Sequence, residues 1–247
     1  MKGVIARINP NAQVIDLSHE VPAHDVNVAA FLLASAFAFF PKGTIHVVVV
    51  DPTVGTERLP LCVESGDYFF VGPDNGVLSI ACTRSGLPKI YRITRYCLEK
   101  RGRTFHGRDV FAPVAAHLSA GAPLESVGPR VESMERISTA LPFVQPDLIE
   151  GEIIHVDRFG NLITNIGQDT IERAFPGVAR CDLVITCGNT KGIGLHETYA
   201  EVPIGRPVGL FSSYDLLEIA VREGSATTLL SAGRGDRARV EKRVSAD

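Results

Sequence analysis

Thr44-Ile45-His46-Val47-Val48-Val49-Val50-Asp51 is the stretch on which the fold turns. It is a continuous β-branched run with no polar alternation. Such a run predicts a strand buried on both faces of a parallel sheet. Upstream, Asp25 to Phe40 is apolar and ends at Pro41-Lys42-Gly43, which predicts a buried helix. Downstream, Leu61 to Val71 reads as two short strands around Ser65-Gly66-Asp67, and Pro73-Asp74-Asn75-Gly76 reads as a turn. Val77 to Thr83 reads as a short helix and Lys89 to Ile93 as a strand. Asp109 to Leu118 reads as a helix closed by Gly121. Helices alternating with strands predict a doubly wound α/β domain. Met1 to Ile8 reads as the tail of a helix stopped by Asn9-Pro10-Asn11, with a strand over Ala12 to Leu17. A doubly wound domain usually opens on a strand before its first helix, so a longer natural N-terminus is expected.

The character changes after Pro123. Pro129 to Asp147 is rich in Pro, Ser and charge and reads as a linker. Beyond it, Ile153 to Val156 and Leu162 to Ile166 flank the turn Arg158-Phe159-Gly160-Asn161. Leu183 to Thr186, Pro207 to Phe211, Leu217 to Val221 and Ala238 to Lys242 continue the strand pattern. Short strands between Gly-rich turns predict a small β-barrel or sandwich. The expected organisation is an α/β domain over 1–128, a linker over 129–150 and a β-barrel domain over 151–247.

The 247 residues carry a formal net charge of -3 without a basic run, which argues against nucleic acid as a partner. At 45% hydrophobic, the chain has ample material for a core. The longest apolar stretch, Val28 to Phe40, is too short to span a bilayer. The five cysteines are odd in number and lack CxxC spacing; together with the lack of a visible secretory signal, they suggest reduced thiols and a cytoplasmic location. No HExxH, GxGxxG or P-loop pattern is present, so neither a metal nor a cofactor is expected.

Asp51 stands at the carboxyl end of the central strand, where ligands bind in open α/β sheets. Arg58 follows seven residues later, past a Gly-containing loop, and a returning loop would pair the two. His106 sits just before a helix, where the helix N-terminus favours a neutral imidazole suited to handling a proton. Taken singly, these also read as a turn carboxylate, a surface arginine and a backbone-bonded histidine. Asp157, Phe159 and Asn161 share one turn, which reads either as a nucleobase pocket or as ordinary Asx turn chemistry. Ser212-Ser213 has no GxSxG elbow around it.

Several stretches together are similar to one family. They are Ile8-Asn9-Pro10-Asn11-Ala12, Pro41 through Pro52, Val54-Gly55-Thr56-Glu57-Arg58, and Val71-Gly72-Pro73-Asp74-Asn75-Gly76. Thr104-Phe105-His106-Gly107-Arg108-Asp109, Asp157 through Asn165, and Leu217-Glu218-Ile219-Ala220-Val221 complete the set. The chain resembles the S-adenosyl-L-methionine hydroxide adenosyltransferases, relatives of the fluorinase and chlorinase. The resemblance implies an N-terminal α/β domain, a C-terminal β-barrel, and a homotrimer with active sites between neighbouring subunits. It implies hydrolysis of S-adenosyl-L-methionine to adenosine and methionine, with no cofactor and no metal. Asp51, Arg58 and His106 match the residues that hold the reacting water. Phe105 would flank the adenosyl group. Asp157 and Asn161 would bind methionine and adenine groups beside Phe159, and Ser212, Ser213 and Glu218 match a later substrate-binding segment. The family opens on a strand with a TDFG-like motif that would precede Met1, so a version extended to an upstream start is expected to be more active. Rival readings are a halogenase, though the polar trio stands where halogenases carry different residues, and a non-catalytic binder of adenosine or S-adenosyl-L-methionine.

Overall fold

Short strands buried on consecutive residues build the first sheet in this computed structural model, which describes residues 1–100, 102–138 and 140–243. The chain divides into two compact units, residues 1–138 and 139–247. In the first, β1 (Ile45–Val47), β2 (Pro60–Ser65), β3 (Tyr68–Pro73), β4 (Lys89–Arg92) and β5 (Arg130–Val131) lie in the order β1-β3-β2-β4-β5. β1 runs parallel to β3, and every other pairing is antiparallel. Leu61, Val63, Phe70 and Ile90 point to one face, where they meet Leu33 and Phe37 from α2 (Val26–Ala36) and its 3₁₀ extension, and Ala81 from α3 (Ser79–Ser85). Their strand neighbours Cys62, Val71 and Tyr91 point to the other face. There they pack with Phe111 and with Val114 of α4 (Ala112–Ser119). The period of two along each strand therefore feeds two cores. Each fully buried aliphatic or aromatic side chain contributes about 1.5–3 kcal/mol. α1 (Lys2–Ile8) docks on α4 through Ile5, Ala112 and Ala116. Helices thus cover both sheet faces, as the α/β reading expects, around a sheet that is mixed.

Several local expectations differ from the structure. The run 44–50 forms only a short strand, continued by one hydrogen bond from Val48 N–H to the Val71 carbonyl (2.9 Å). β1 is an edge strand among the described residues, pairing with β3 alone, while the segment's side chains pack on both faces, Ile45 and Val47 against one core and Val48 and Val50 against the other. Residues 12–17 form no strand and are largely exposed. The stretch read as a linker contributes β5 to the first sheet and β6 (Phe143–Gln145), which pairs with β7 (Leu148–Val156). The helix before Gly121 opens with a π-helical turn over Gly107–Phe111.

The second unit is a strongly curved sheet. With β8 (Leu162–Gly167), β9 (Leu183–Cys187), β10 (Thr190–Gly194), β11 (Pro207–Phe211), β12 (Leu216–Val221) and β13 (Arg237–Lys242), its order is β10-β9-β13-β7-β8-β12-β11. A bridge from Leu195 to Gly209 brings the two ends together, so the barrel is nearly closed. Ile149, Ile153, Leu162, Ile185, Leu217 and Val240 fill it, and α5 (Gln168–Ala174) and α6 (Ala226–Leu230) add Ile171 and Leu230. Among the described residues no helix is long and apolar enough to cross a membrane.

His46 sits in the first unit's core among the rings of Phe37, Phe40, Tyr68 and Phe70. Its Nε2 has no hydrogen-bond partner among the described residues. Burial lowers its pKa from 6.5 to about 4. The folded state therefore holds this ring neutral where the unfolded chain would protonate it. Its contribution is fully present above pH 6.5 and is lost as pH falls toward 4, to a total of about 3 kcal/mol. Urea unfolding between pH 7.5 and 4 is expected to show this loss in the wild type and a flatter profile in His46→Phe. Parallel profiles would contradict it.

Candidate active site

Asp51 is held where the β1 segment ends. Asn75 of the Pro73-Gly76 turn donates its Nδ2–H to the Val50 carbonyl (2.9 Å), and its Oδ1 accepts from Val77 N–H (3.2 Å). The following loop is closed by Val54 N–H on the Asp51 carbonyl (3.3 Å) and by Thr56 Oγ1 on the Thr53 carbonyl (2.8 Å). It returns Arg58 to Asp51. Arg58 Nε donates to Asp51 Oδ1 (3.0 Å), and Arg58 Nη2 donates to Asp51 Oδ2. This is the bidentate fork that Arg makes and Lys does not. The side chains are 6% and 5% exposed, and the guanidinium lies 5.6 Å from the centre of the Phe111 ring.

The second Nη2 hydrogen points to His106 Nδ1, 2.7 Å away. Arginine only donates, so Nδ1 accepts, and the imidazole is neutral with its proton on Nε2. Arg58 Nη1 is buried and has no partner among the described residues, which leaves donor capacity inside the site. His106 opens the π-helical turn. Gly107 makes the approach feasible: a Cβ there would lie 3.1 Å from Cγ1 of Val49, two residues before Asp51. Phe105, next to His106, is 60% exposed.

The second unit gathers another group. Asp157 Oδ1 accepts from Phe159 N–H (2.8 Å) and Asn161 N–H (2.9 Å), and its Oδ2 accepts from Asn161 Nδ2 (3.0 Å). The last bond fixes the buried amide of Asn161, so its Oδ1 is presented as an acceptor. Phe159, at the tip, is 72% exposed. Glu218 on β12 sits opposite Ile163 of β8 and is buried. Burial lifts its carboxyl above the usual range, and Asp157 lifts it further. Tyr199 donates its hydroxyl to Glu218 Oε1 (2.6 Å), and burial, followed by this contact, raises the phenol. Ser212 and Ser213 occupy the turn between β11 and β12; Ser212 Oγ accepts from Tyr214 N–H (3.4 Å), and Ser213 is exposed.

The structure thus brings Asp51, Arg58 and His106 into one hydrogen-bonded trio. It places Asp157, Asn161 and Glu218 together in the second unit, with Phe105 and Phe159 exposed. Asn75, Phe111 and Tyr199 escaped the sequence reading. Tyr199 lies in a Thr198-to-Glu201 capping box, a signature that points to structure. Asn75 sits in a turn where Asn is unremarkable.

A family model described as the SAM hydroxide adenosyltransferase N-terminal domain matches residues 1–128, and the corresponding C-terminal domain model matches residues 151–239. The chain is 38% identical over 244 residues to an (R)-S-adenosyl-L-methionine hydrolase from Salinispora arenicola, covering 96% of this chain and 90% of that one. It is 36% identical over 246 residues to the protein of that name from Thermus thermophilus, covering 95% and 90%. A fluorinase from an Actinoplanes species is 27% identical, covering 89% and 84%. A crystal structure of an uncharacterized conserved protein from Thermotoga maritima superposes with a TM-score of 0.91 at 38% identity, covering 98% of this chain and 93% of that one.

The hydrogen bond from Arg58 fixes a measurable property of His106. At pH 7 its ¹⁵N spectrum is expected to show an unprotonated Nδ1 and a protonated Nε2. A proton on Nδ1 would mean that Arg58 does not donate there.

Proposed function

Because this chain belongs to the SAM hydroxide adenosyltransferase family, we propose that it hydrolyses S-adenosyl-L-methionine to adenosine and L-methionine. The observation that carries this reading is the buried trio of Asp51, Arg58 and His106. The sulfonium of the substrate already activates ribose C5′. Water attacks C5′, the new O–C5′ bond forms, the C5′–S bond breaks, and its electron pair stays on sulfur. The leaving thioether is neutral and needs no acid. The work therefore falls on the water, which must be aimed in line and must lose a proton.

In this reading Asp51 accepts that proton and later passes it to solvent. The Nδ1 of His106 is taken by Arg58, so the imidazole serves as an Nε2–H donor that orients the water. The unpartnered Nη1 of Arg58 supplies a donor for the charge developing on oxygen. Phe105 flanks the adenosyl group. Asp157, Phe159, Asn161, Ser212, Ser213 and Glu218 hold the adenine and methionine groups. Residues 1–128 then carry the water chemistry and residues 151–247 the substrate contacts, with 129–150 between them. The assembly in this reading is a homotrimer with active sites between neighbouring subunits. The chemistry needs neither metal nor cofactor. The five free cysteines, three of them buried, support a reducing cytoplasmic setting.

Incubation with S-adenosyl-L-methionine in halide-free buffer is expected to give adenosine and methionine in equal amounts, with ¹⁸O from labelled water in the 5′-hydroxyl. Asp51→Ala should lower turnover by roughly 10²-fold or more. A product that appears only with added halide would replace the hydrolase reading with a halogenase. Tight binding without turnover would leave a binding protein.

A further inference from the structure

The segment that carries Phe105 and His106 is organised around one buried carboxylate. Asp109 is fully shielded from solvent. Its Oδ2 accepts from the backbone N–H of Gly102 (2.7 Å) and from Arg108 Nη2 (3.0 Å), while Oδ1 accepts from Arg108 Nε (2.6 Å). Its backbone carbonyl accepts from Leu98 N–H (2.9 Å), and its own N–H donates to the Phe105 carbonyl (3.0 Å). One residue therefore ties positions 98, 102 and 105 to the first turn of the helix. A Cβ at Gly102 would lie 3.3 Å from Oδ2, so a backbone donor reaches the carboxylate directly. Arg108 closes the outer side, with its guanidinium 4.9 Å from the centre of the Phe105 ring. The Arg108 contact holds the Asp109 carboxyl below the usual range, which keeps these bonds charge-assisted.

We propose that Asp109 is a positioning residue for the hydrolysis: it ties Leu98, Gly102 and Phe105 to the π-helical turn and so aims His106 Nδ1 at Arg58 and sets the Phe105 ring. This rests on the hydrolase reading. Asp109 lies three residues beyond His106 and touches neither Asp51 nor Arg58 in any hydrogen bond described above. Its influence reaches the histidine through the backbone of the π-helical turn and, as a nearby negative charge, directly. Misplacement of a water-handling group by about 1 Å costs on the order of 10²-fold in rate.

Asp109→Asn tests this. The carboxamide keeps the shape but offers one acceptor oxygen, so it cannot serve Gly102 and both Arg108 donors at once. The variant is expected to lose on the order of 10²-fold in kcat, with a much smaller change in KM. Its ¹⁵N spectrum should show that His106 has lost the single Nε2–H tautomer. A lowered melting temperature with kcat and the His106 signals unchanged would make Asp109 merely structural and would overturn the proposal. If Asp109→Asn does not fold, Arg108→Lys removes the two-pronged grip from the half-exposed side. It should move kcat and the His106 signals in the same direction, and wild-type values would overturn the proposal. A wild type that makes no adenosine would sink the functional reading instead. An active Asp109→Asn protein with an unmoved His106 would sink only this one.

Discussion

Two opposite charges withdrawn from water govern the first unit. Arg58 and Asp51 are almost wholly buried, and taking each ion out of solvent costs several kcal/mol. The cost is offset only if the geometry is nearly ideal, and the surrounding structure reads as a set of devices for making it so. Asn75 pins the carbonyl before Asp51, a short loop turns Arg58 back, and Phe111 lies under the guanidinium. Gly107 lets the turn that carries His106 come within contact of the strand end. Loss of either partner would strand a buried charge, so the fold and the site share one requirement.

The fold was legible where apolar, β-branched runs are bounded by turn residues. The hairpin of β2 and β3, the strands β4, β8, β9, β11, β12 and β13, and the helix α2 all follow from such runs, which tertiary contacts reinforce. It was less legible where pairing decides the outcome. The run at 44–50 packs on both faces as its composition suggests, yet only Ile45–Val47 pair as a strand, at the edge of the sheet among the described residues. Val14, Ile15 and Leu17 have strand composition without a partner. β10 and α5 were missed because Thr190–Gly194 is rich in Gly and Gln168–Ala174 is short. At the site, Asp51 could be placed from the strand that precedes it and Arg58 from the loop length. The tautomer of His106 could not, because it depends on an arginine 48 positions away in sequence. Tyr199 and Asp109 were missed for the same reason: their partners come from other segments or from the backbone.

The charge balance of the trio suits the proposed reaction. One carboxylate and one guanidinium cancel, and the imidazole adds nothing while Arg58 occupies its Nδ1. A protonated histidine would give the site a net positive charge and oppose the approach of a sulfonium. Arg58 thus does more than hold Asp51: its Nη2 also donates to the neighbouring ring's Nδ1.

The π-helical turn at Gly107–Phe111 has a consequence for how this chain can vary. Such a turn amounts to one extra residue threaded into an α-helix. Removing a residue there would restore a regular helix and rotate everything on its N-terminal side by about 100° relative to α4. His106 would swing away from Arg58 although no functional side chain had been touched. Length, as well as residue identity, is therefore under constraint between His106 and Ala112: a single-codon deletion would disconnect the histidine from the site.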